Sequence, residues 1–195
     1  HFKSSDDCGK ISFTCLRAER NAMEKDIERV LLTQEEIRTK VAEIGHQISM
    51  DYADRNPIFI GVLKGCFIFM ADLMRNVNMD FMAVSSYSGT SSTGAVKINK
   101  DLSQDVAGRH LILVEDILDS GVTLNYLKNY LQVRQPASVH IATLLDKPAR
   151  RKADIHADYS CFEVPDAFVV GYGLDYNEFY RNLPYIGILK PEIYS

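Results

Sequence analysis

Long apolar runs are missing from this 195-residue sequence, and no stretch approaches the ~20 apolar residues that a membrane-spanning helix needs. An excess of positive charge is missing too. The formal net charge of −4 at pH 7 argues against a general binder of nucleic acid or of anionic membranes. The remaining composition is ordinary for a soluble globular protein, and at this length we expect one domain with a substantial core.

Paired cysteines of the metal-binding kind are also missing. The four cysteines, Cys8, Cys15, Cys66 and Cys161, form no Cys-x-x-Cys pair, and the histidines have no zinc-ligand spacing with one another or with cysteine. We therefore expect reduced thiols, in the core or at the surface of a cytosolic protein, and no zinc site.

The first 22 residues lack a periodic pattern. They contain Asp6, Asp7 and Glu19 and no long apolar region, so they fit neither a secretory signal nor an acid-poor transit peptide. We expect residues 1–22 to be a leader, or an extension added for expression, without ordered structure, and residues 23–195 to form the domain.

Residues 111–124, LILVEDILDSGVTL, are the most informative stretch. Leu111 to Val114 have the bulk of a strand that is buried on both faces, as in a parallel sheet. Because a buried strand cannot hold two unpaired charges, we expect it to end before Glu115 and Asp116, at the edge where open α/β sheets bind ligands. The small residues of 119–123 predict a tight turn into a helix, and its N–H groups and dipole suit a phosphate. Together these features suit a sugar phosphate.

The flanking sequence alternates strand and helix patterns, which is typical of an α/β fold. A capping box, Thr33-Gln-Glu-Glu36, predicts a helix that runs to about Tyr52. A strand at 58–63 follows and ends at Lys64-Gly65, a pair that suits pyrophosphate because glycine lets the backbone approach the anion. Further strands are expected at 79–84, 95–99, 138–145 and 159–164, and further helices at 66–75 and 122–134.

Two glycine-containing segments fall short of nucleotide-binding fingerprints. Gly89 and Gly94 have the spacing of a P-loop, but Ala95-Val96 stands where Lys-Ser/Thr is required. Gly171-Tyr-Gly173 lacks the third glycine of a dinucleotide motif. A nucleoside-triphosphatase interpretation therefore fails. The short basic run at 150–152 we interpret as a solvated face and not as a nucleic-acid patch.

Four motifs, in order along the chain, resemble those of the hypoxanthine-guanine phosphoribosyltransferase family, and the resemblance extends from about Met23 to Lys190. The motifs are Leu63-Lys-Gly65, Val114-Glu-Asp-Ile-Leu-Asp-Ser-Gly-Val-Thr123, Lys147 after its strand, and Phe168-Val-Val-Gly-Tyr-Gly-Leu-Asp-Tyr-Asn-Glu178 with Arg181. The resemblance implies a type I phosphoribosyltransferase fold, with a mainly parallel twisted sheet flanked by helices and a small hood subdomain. It also implies that residues 85–94 form a mobile lid, in which Ser86 and Tyr87 fold over the reacting centre.

The same resemblance implies how the ribosyl donor is bound. Lys64, Gly65 and Arg181 would hold its pyrophosphate. Glu115 and Asp116 would orient the ribose hydroxyls and, together with Asp175, hold Mg²⁺. The 5′-phosphate would lie in the following turn, formed by Ser120, Gly121, Val122 and Thr123, although Val122 stands where some members carry lysine.

For the purine, the resemblance implies four contacts. Asp119 would be the general base toward N7. Lys147 would bond the 6-oxo group, which selects hypoxanthine and guanine because an ammonium group cannot accept from the amino group of adenine. Phe168 would stack on the base, and the Val169 backbone would bind its edge.

The implied reaction is the reversible transfer of 5-phosphoribosyl from phosphoribosyl pyrophosphate to N9 of hypoxanthine or guanine, giving IMP or GMP plus pyrophosphate in purine salvage. The binding partners would be these small molecules, and no nucleic acid or membrane is expected. We expect the protein to be cytoplasmic and to form a homodimer or homotetramer. Preference among hypoxanthine, guanine and xanthine stays open, as does a related transferase for adenine or a pyrimidine. A non-catalytic regulator is the alternative from another class, which the presence of Asp119 and the acidic charge balance disfavour.

Overall fold

The computed structural model describes residues 23–74, 79–86 and 96–195. The predictions for residues 1–22, for Tyr87 and for most of the lid segment lie outside these ranges, and Ser86 is described only in its backbone. The strands are β1 (Ile27–Leu32), β2 (Ile58–Leu63), β3 (Met79–Ser86), β4 (Val96–Lys100), β5 (His110–Leu118), β6 (Ser138–Asp146), β7 (Tyr159–Glu163), β8 (Val169–Val170) and β9 (Ile186–Leu189). The helices are α1 (Gln34–Asp51), α2 (Phe67–Leu73), α3 (Val122–Gln132) and α4 (Pro191–Tyr194).

A six-stranded sheet in the order β4-β3-β2-β5-β6-β7 forms the centre of the molecule. The pairs β2–β3, β2–β5, β5–β6 and β6–β7 are parallel, and only the edge strand β4 pairs antiparallel. Residues of β5 alternate between the two faces: Ile112 and Val114 pack with α1 and α2, whereas Leu111 and Leu113 pack with α3. The predicted α/β fold, with a mainly parallel sheet flanked by helices, is confirmed.

Helix α1 begins at the predicted capping box. The Thr33 hydroxyl accepts from the Glu36 amide at 3.3 Å, and the Thr33 amide donates to the Glu36 carboxylate at 2.8 Å, so two otherwise unpaired N–H groups are satisfied. The apolar stripe of α1 is buried against the sheet. Neither α1 nor any other helix within the described ranges is both long and apolar enough to cross a membrane.

A second sheet, in the antiparallel order β1-β9-β8, forms the hood. Strands β1 and β9 were not expected from the sequence, because the pairing joins Ile27 to Leu189 across almost the whole chain. Val169, Ile186 and Ile188 pack into the same core as α1 and α2. The hood therefore carries the predicted purine segment, which begins at β8, onto one face of the main sheet.

Strand β5 is longer than expected. It runs to Leu118, so the prediction that it ends before Glu115 and Asp116 is wrong. The reason is that β6 keeps pairing along this length, from Glu115–Thr143 to Leu118–Asp146, whereas the described pairing with β2 stops at Val114. Beyond that point, among the residues that the structure describes, β5 has a neighbouring strand on one side only. The two carboxylates thus still lie at the carboxyl edge of the sheet.

Candidate active site

Three chain segments meet at the carboxyl edge of the main sheet. A Cβ atom on Gly65, just after β2, would lie 1.6 Å from Oδ2 of Asp116 on β5. A Cβ atom on Gly173, in the loop after β8, would lie 2.1 Å from the Gly65 carbonyl oxygen, and Gly173 has a φ of +104°. Only glycine permits these approaches. The segments predicted separately to bind the donor therefore form one continuous wall.

Next to this wall is a cleft of about 280 Å³. Five of the predicted residues line it: Asp119, Lys147, Phe168, Val169 and Asp175. Asp119, Lys147 and Asp175, which lie in three separate motifs of the sequence, thus line one common cleft. The cleft is also lined by residues to which the sequence analysis assigned no role: Ile117, Arg150, Asp166, Ala167, Leu174 and Tyr194.

Lys147 is a buried cation at the end of β6, with 4% of its surface exposed. Its Nζ donates to the Ala167 carbonyl oxygen at 2.8 Å, and its amide donates to the Leu118 carbonyl oxygen. Burial lowers the pKa of Lys147, and the nearby Asp119 carboxylate partly opposes this effect. An ammonium group has three hydrogens, so this side chain can also donate to an oxygen placed in the cleft.

Phe168 presents an aromatic surface to the cleft and is 36% exposed. Its ring stacks on Tyr194 at a centroid distance of 4.7 Å and meets Tyr176 edge to face at 5.6 Å. Tyr194 had no signal in the sequence, because nothing near the chain end indicated that α4 folds back onto the purine segment. The stack places Phe168 where a planar ligand can contact it.

The acidic pair is held in a poorly hydrated position at the edge of β5. Burial raises the pKa of Glu115 well above its usual value, and the neighbouring Asp116 charge adds to the rise. Burial also raises the pKa of Asp116, to about 6. The hydrogen bond from the Ile117 amide and the charge of Arg181 oppose this rise, whereas the charge of Asp175 adds to it. Such raised pKa values mean that positive charge or hydrogen-bond donors brought to this point would be favourable.

A cluster of charges lies next to Gly65 and Gly173 and reaches the cleft through Asp175. Lys64 Nζ lies 3.0 Å from Oε1 of Glu178, and the hydrogen bond from Lys64 lowers the pKa of Glu178. Arg181 donates to the Gly173 carbonyl oxygen at 2.7 Å and pairs with Asp175 at 2.9 Å and Glu178 at 3.4 Å. The Leu63–Lys64 peptide bond is cis. The sequence analysis gave Glu178 no role, although it ends the purine motif.

The turn before α3 has the conformation expected of an anion cradle. Gly121 adopts a φ of +76°, and a Cβ atom there would lie 2.5 Å from Cγ2 of Ile155. A hollow of about 110 Å³ is lined by Ser120, Gly121 and Thr123 together with Glu115 and Asp119. The first amides of α3 have no partners within the helix, and the Val122 amide makes only a long contact of 3.5 Å with the Ser120 hydroxyl, so these amides can donate to an anion.

The basic run beside this turn is the solvated face that we expected at Arg150 and Lys152, but the prediction is wrong for Arg151. Only 13% of the Arg151 side chain is exposed. The guanidinium donates to the carbonyl oxygens of Leu118, Asp119 and Ile155 and to the Asp146 carboxylate. The preceding Arg150 is half exposed and pairs with Asp166 at 2.6 Å. A count of charges could not reveal this burial, because it depends on carbonyl groups from another part of the chain.

Three buried side-chain atoms lack a hydrogen-bond partner within the described residues: Oε2 of Glu115, Oδ1 of Asp119 and Nε of Arg181. Buried polar atoms are almost always paired, so each exception calls for an explanation. All three belong to residues predicted to bind or transform substrate. A polar, charged ligand that bound at this edge of the sheet could supply hydrogen-bond partners to the two carboxylate oxygens and to the guanidinium nitrogen.

These residues also fit a divalent cation. Across residues 23–74, 79–86 and 96–195, no three acidic, histidine or cysteine side chains are grouped closely enough to hold a metal alone. Mg²⁺ is commonly held by one or two carboxylates together with substrate oxygens and water. The unpaired oxygen of Glu115 and the repulsion between Asp116 and Asp175 suit such a shared site.

An open α/β sheet with paired carboxylates, a cation cluster and an anion turn at one edge defines a class of proteins that handle sugar phosphates. Comparison with known proteins identifies the family. A family model described as "Phosphoribosyl transferase domain" matches residues 30–177, and the chain belongs to this family.

Relatives of known name agree with this assignment. The chain is 57% identical over 178 residues to a hypoxanthine-guanine phosphoribosyltransferase of Bacillus subtilis (strain 168), which covers 89% of this chain and 99% of that protein. It is 53% identical, with the same coverage, to one from Streptococcus pneumoniae (strain ATCC BAA-255 / R6). A crystal structure of a hypoxanthine phosphoribosyltransferase from Staphylococcus aureus superposes with a TM-score of 0.86 at 50% identity and covers 89% of this chain and 97% of that chain. The resemblance seen in the sequence, and the type I fold that it implied, are confirmed.

Proposed function

We propose that this chain is a purine salvage enzyme that transfers the 5-phosphoribosyl group from phosphoribosyl pyrophosphate to N9 of hypoxanthine or guanine. The products are IMP or GMP and pyrophosphate. The observation that carries the proposal is the set of unpaired buried atoms on Glu115, Asp119 and Arg181, gathered at one edge of the sheet. The donor and the purine together supply both acceptors and donors for them.

The barrier lies in breaking the anomeric carbon–oxygen bond, which leaves negative charge on the pyrophosphate. Lys64 and Arg181, with the Gly65 amide, would bind that charge, and electrostatic stabilisation of this kind is usually the largest contribution to catalysis. Both cations are paired with Glu178 in this structure, so the pyrophosphate would replace that carboxylate.

The ribose would be held from two sides. Glu115 and Asp116 would accept hydrogen bonds from its hydroxyls, and the turn formed by Ser120, Gly121, Val122 and Thr123 would hold its 5′-phosphate. The small residues and left-handed Gly121 support this role, since they bring backbone amides close to the anion. Two anchored ends orient the anomeric carbon toward the purine.

The purine would occupy the cleft between Asp119 and Phe168. Asp119 would take the N7 proton, Lys147 would donate to the 6-oxo group, and Phe168 would stack on the base while the Val169 backbone binds its edge. The buried position of Lys147 supports this specificity, because a buried donor left without an acceptor disfavours adenine. Ser86 and Tyr87 would belong to a lid that excludes water.

We propose Mg²⁺ as the divalent ion, held by Glu115, Asp116 and Asp175 together with substrate oxygens. When bound, the ion supplies positive charge to the leaving pyrophosphate. We further propose that the enzyme works in the cytoplasm as a homodimer or homotetramer, without a nucleic-acid or membrane partner. The free, buried thiols of Cys66 and Cys161 support a reducing compartment.

A substrate panel tests the function. Hypoxanthine, guanine, xanthine and adenine are each supplied with phosphoribosyl pyrophosphate and Mg²⁺, and nucleotide formation is followed by absorbance. We expect conversion of hypoxanthine and guanine, no conversion of adenine, and loss of activity when EDTA removes the ion. Conversion of adenine in preference to both 6-oxopurines, or of no base at all, would overturn the proposal. The rate with xanthine defines the selectivity at the 2-position.

A further inference from the structure

Arg151 joins the turn that contains Asp119 to the strand beside it. Its Nε donates to the Asp119 carbonyl oxygen at 3.0 Å, and one terminal nitrogen donates to the Leu118 carbonyl oxygen at 3.2 Å. The other terminal nitrogen donates to the Ile155 carbonyl oxygen, and the charge is balanced by Asp146 at the end of β6. One side chain thus holds two consecutive carbonyl groups directly below the proposed base.

The backbone that follows Arg151 holds the next residue of the same turn. The amides of Lys152 and Ala153 donate to the Ser120 carbonyl oxygen at 2.9 and 3.1 Å. Cδ of Arg151 would lie 3.0 Å from a Cβ atom on Gly121, so the arginine stem also packs against the left-handed glycine. Carbonyl groups of three consecutive residues, 118 to 120, are therefore held from one side.

This arrangement determines which way the turn faces. When the carbonyl oxygens of residues 118–120 are held on the Arg151 side, the side chain of Asp119 and the amides that begin α3 are left to face the cleft and the 110 Å³ hollow. The guanidinium is suited to this task because it is planar and donates in several fixed directions at once. A lysine could keep the charge next to Asp146 but could not bond several carbonyl oxygens in the same plane.

We propose that Arg151 is a positioning residue for the transfer reaction, which holds the turn 118–121 so that Asp119 and the phosphate-binding amides keep their working geometry. This inference rests on the proposed function for the identity of the ligands. It predicts a defect confined to one end of the donor site. The 5′-phosphate end depends on the turn, whereas the pyrophosphate end depends on Lys64 and Arg181, which Arg151 does not contact within the described residues.

The test compares two ligands on folded protein. Ribose 5-phosphate and inorganic pyrophosphate, each with Mg²⁺, are titrated calorimetrically into the wild type and into Arg151→Met. We expect the affinity for ribose 5-phosphate to fall at least tenfold and the affinity for pyrophosphate to stay within twofold. Turnover with hypoxanthine should fall by ~100-fold, the size expected when a catalytic group is displaced by about 1 Å.

Two further variants complete the design. Arg134→Met removes another partly buried arginine, which pairs with Asp101 and Tyr130 away from the cleft, and it should leave both affinities unchanged. Arg151→Lys keeps a positive charge next to Asp146, and it decides the question if Arg151→Met does not fold. We expect it to fold and still to lose ribose 5-phosphate affinity selectively.

Three results would overturn the inference: unchanged affinity for ribose 5-phosphate, equal loss of both ligands, or unfolding of both Arg151 variants. Equal loss or unfolding would mean that Arg151 supports the fold as a whole. A wild type that binds ribose 5-phosphate but converts no purine would contradict the proposed function and leave the positioning role of Arg151 to be decided by the binding data.

Discussion

Oε1 of Glu178 lies 3.0 Å from Nζ of Lys64, and its other carboxylate oxygen lies 3.4 Å from Arg181. Both cations are proposed to bind pyrophosphate, so this carboxylate lies where we propose that the anion binds. Asn177 and Glu178 both have positive φ values, which indicates that the loop is bent to bring Glu178 there. On this proposal, the pyrophosphate competes with a side chain of the protein itself.

Replacing Glu178 with glutamine should tighten pyrophosphate binding. The neutral amide would remove the competing charge next to both cations, although Arg181 would keep its pair with Asp175. Because the pair with Lys64 is exposed, we expect a gain of about two- to fivefold. Isothermal titration of pyrophosphate with Mg²⁺ measures it. Glu43→Gln, which breaks a similarly exposed pair with Lys40 on α1, is the control and should have no effect. Weaker pyrophosphate binding in Glu178→Gln would mean that the carboxylate helps the cations to bind instead of competing.

Asp119→Asn should lower turnover at least tenfold while leaving nucleotide binding nearly intact. The amide preserves the shape of the side chain but cannot accept the N7 proton, and a well-placed acid–base group contributes ~10²–10⁴-fold in rate. Steady-state kcat and the Kd for GMP are the two measurements. Asp166→Asn changes another carboxylate of the same cleft, paired with Arg150, and should retain near-normal turnover. Equal turnover in Asp119→Asn and wild type would remove the base assignment.

Lys147→Ala should raise the KM for hypoxanthine. A hydrogen bond from a charged donor is worth ~1.5–3 kcal/mol, which corresponds to a change of about tenfold or more. The KM for phosphoribosyl pyrophosphate should change less, because its groups bind elsewhere. Lys152→Ala removes an exposed cation near the turn that contains Asp119. It serves as the control and should leave the KM for hypoxanthine unchanged. An unchanged KM for hypoxanthine in Lys147→Ala would contradict the proposed 6-oxo contact.

Asp80 should make the stability of the fold depend on pH in the acid range. Burial alone would raise the pKa of Asp80, but hydrogen bonds from Ser103 and the Phe81 amide, with the Lys100 charge, outweigh burial and lower it. The fold therefore favours the ionised form of Asp80. The free energy of unfolding that this carboxylate contributes is fully present above the unfolded-state pKa, and it is lost as the pH falls through the lower folded-state pKa.

Asp80→Asn tests this dependence. At pH 7 the variant should lose ~1–3 kcal/mol of unfolding free energy, the cost of weakening a buried hydrogen-bonded group. The difference from wild type should shrink as the pH is lowered from 5 to 3. Urea unfolding at several pH values measures it, with the fully exposed Asp154→Asn as the control. A difference that stays constant with pH would mean that the charge of Asp80 contributes nothing.

Much of the fold follows from short-range patterns. The capping box predicted the start of α1, and the bounds of the predicted helices and strands agree with the structure to within two residues, except for β5. Strand β5 was misjudged because, within the described ranges, its last four residues run beside β6 and no second strand. The sequence did not indicate that a charged residue such as Glu115 could stay in a strand that is open on one side. Local patterns describe a segment but not how many neighbours it has.

The site divides in the same way. The sequence by itself determined that Lys64, Asp119 and Lys147 each follow a strand. Because these strands are parallel, their carboxyl ends lie at one edge of the sheet, and the three residues meet there however the rest of the chain folds. Only the tertiary structure decided that Arg151 is buried beneath the Asp119 turn, that Glu178 pairs with both cations, and that Tyr194 stacks on Phe168. The contacts of Arg151, of Glu178 with Lys64, and of Tyr194 join segments far apart in the chain. Arg151 and Tyr194 contact backbone carbonyl groups and a ring face, which every sequence contains and no motif distinguishes.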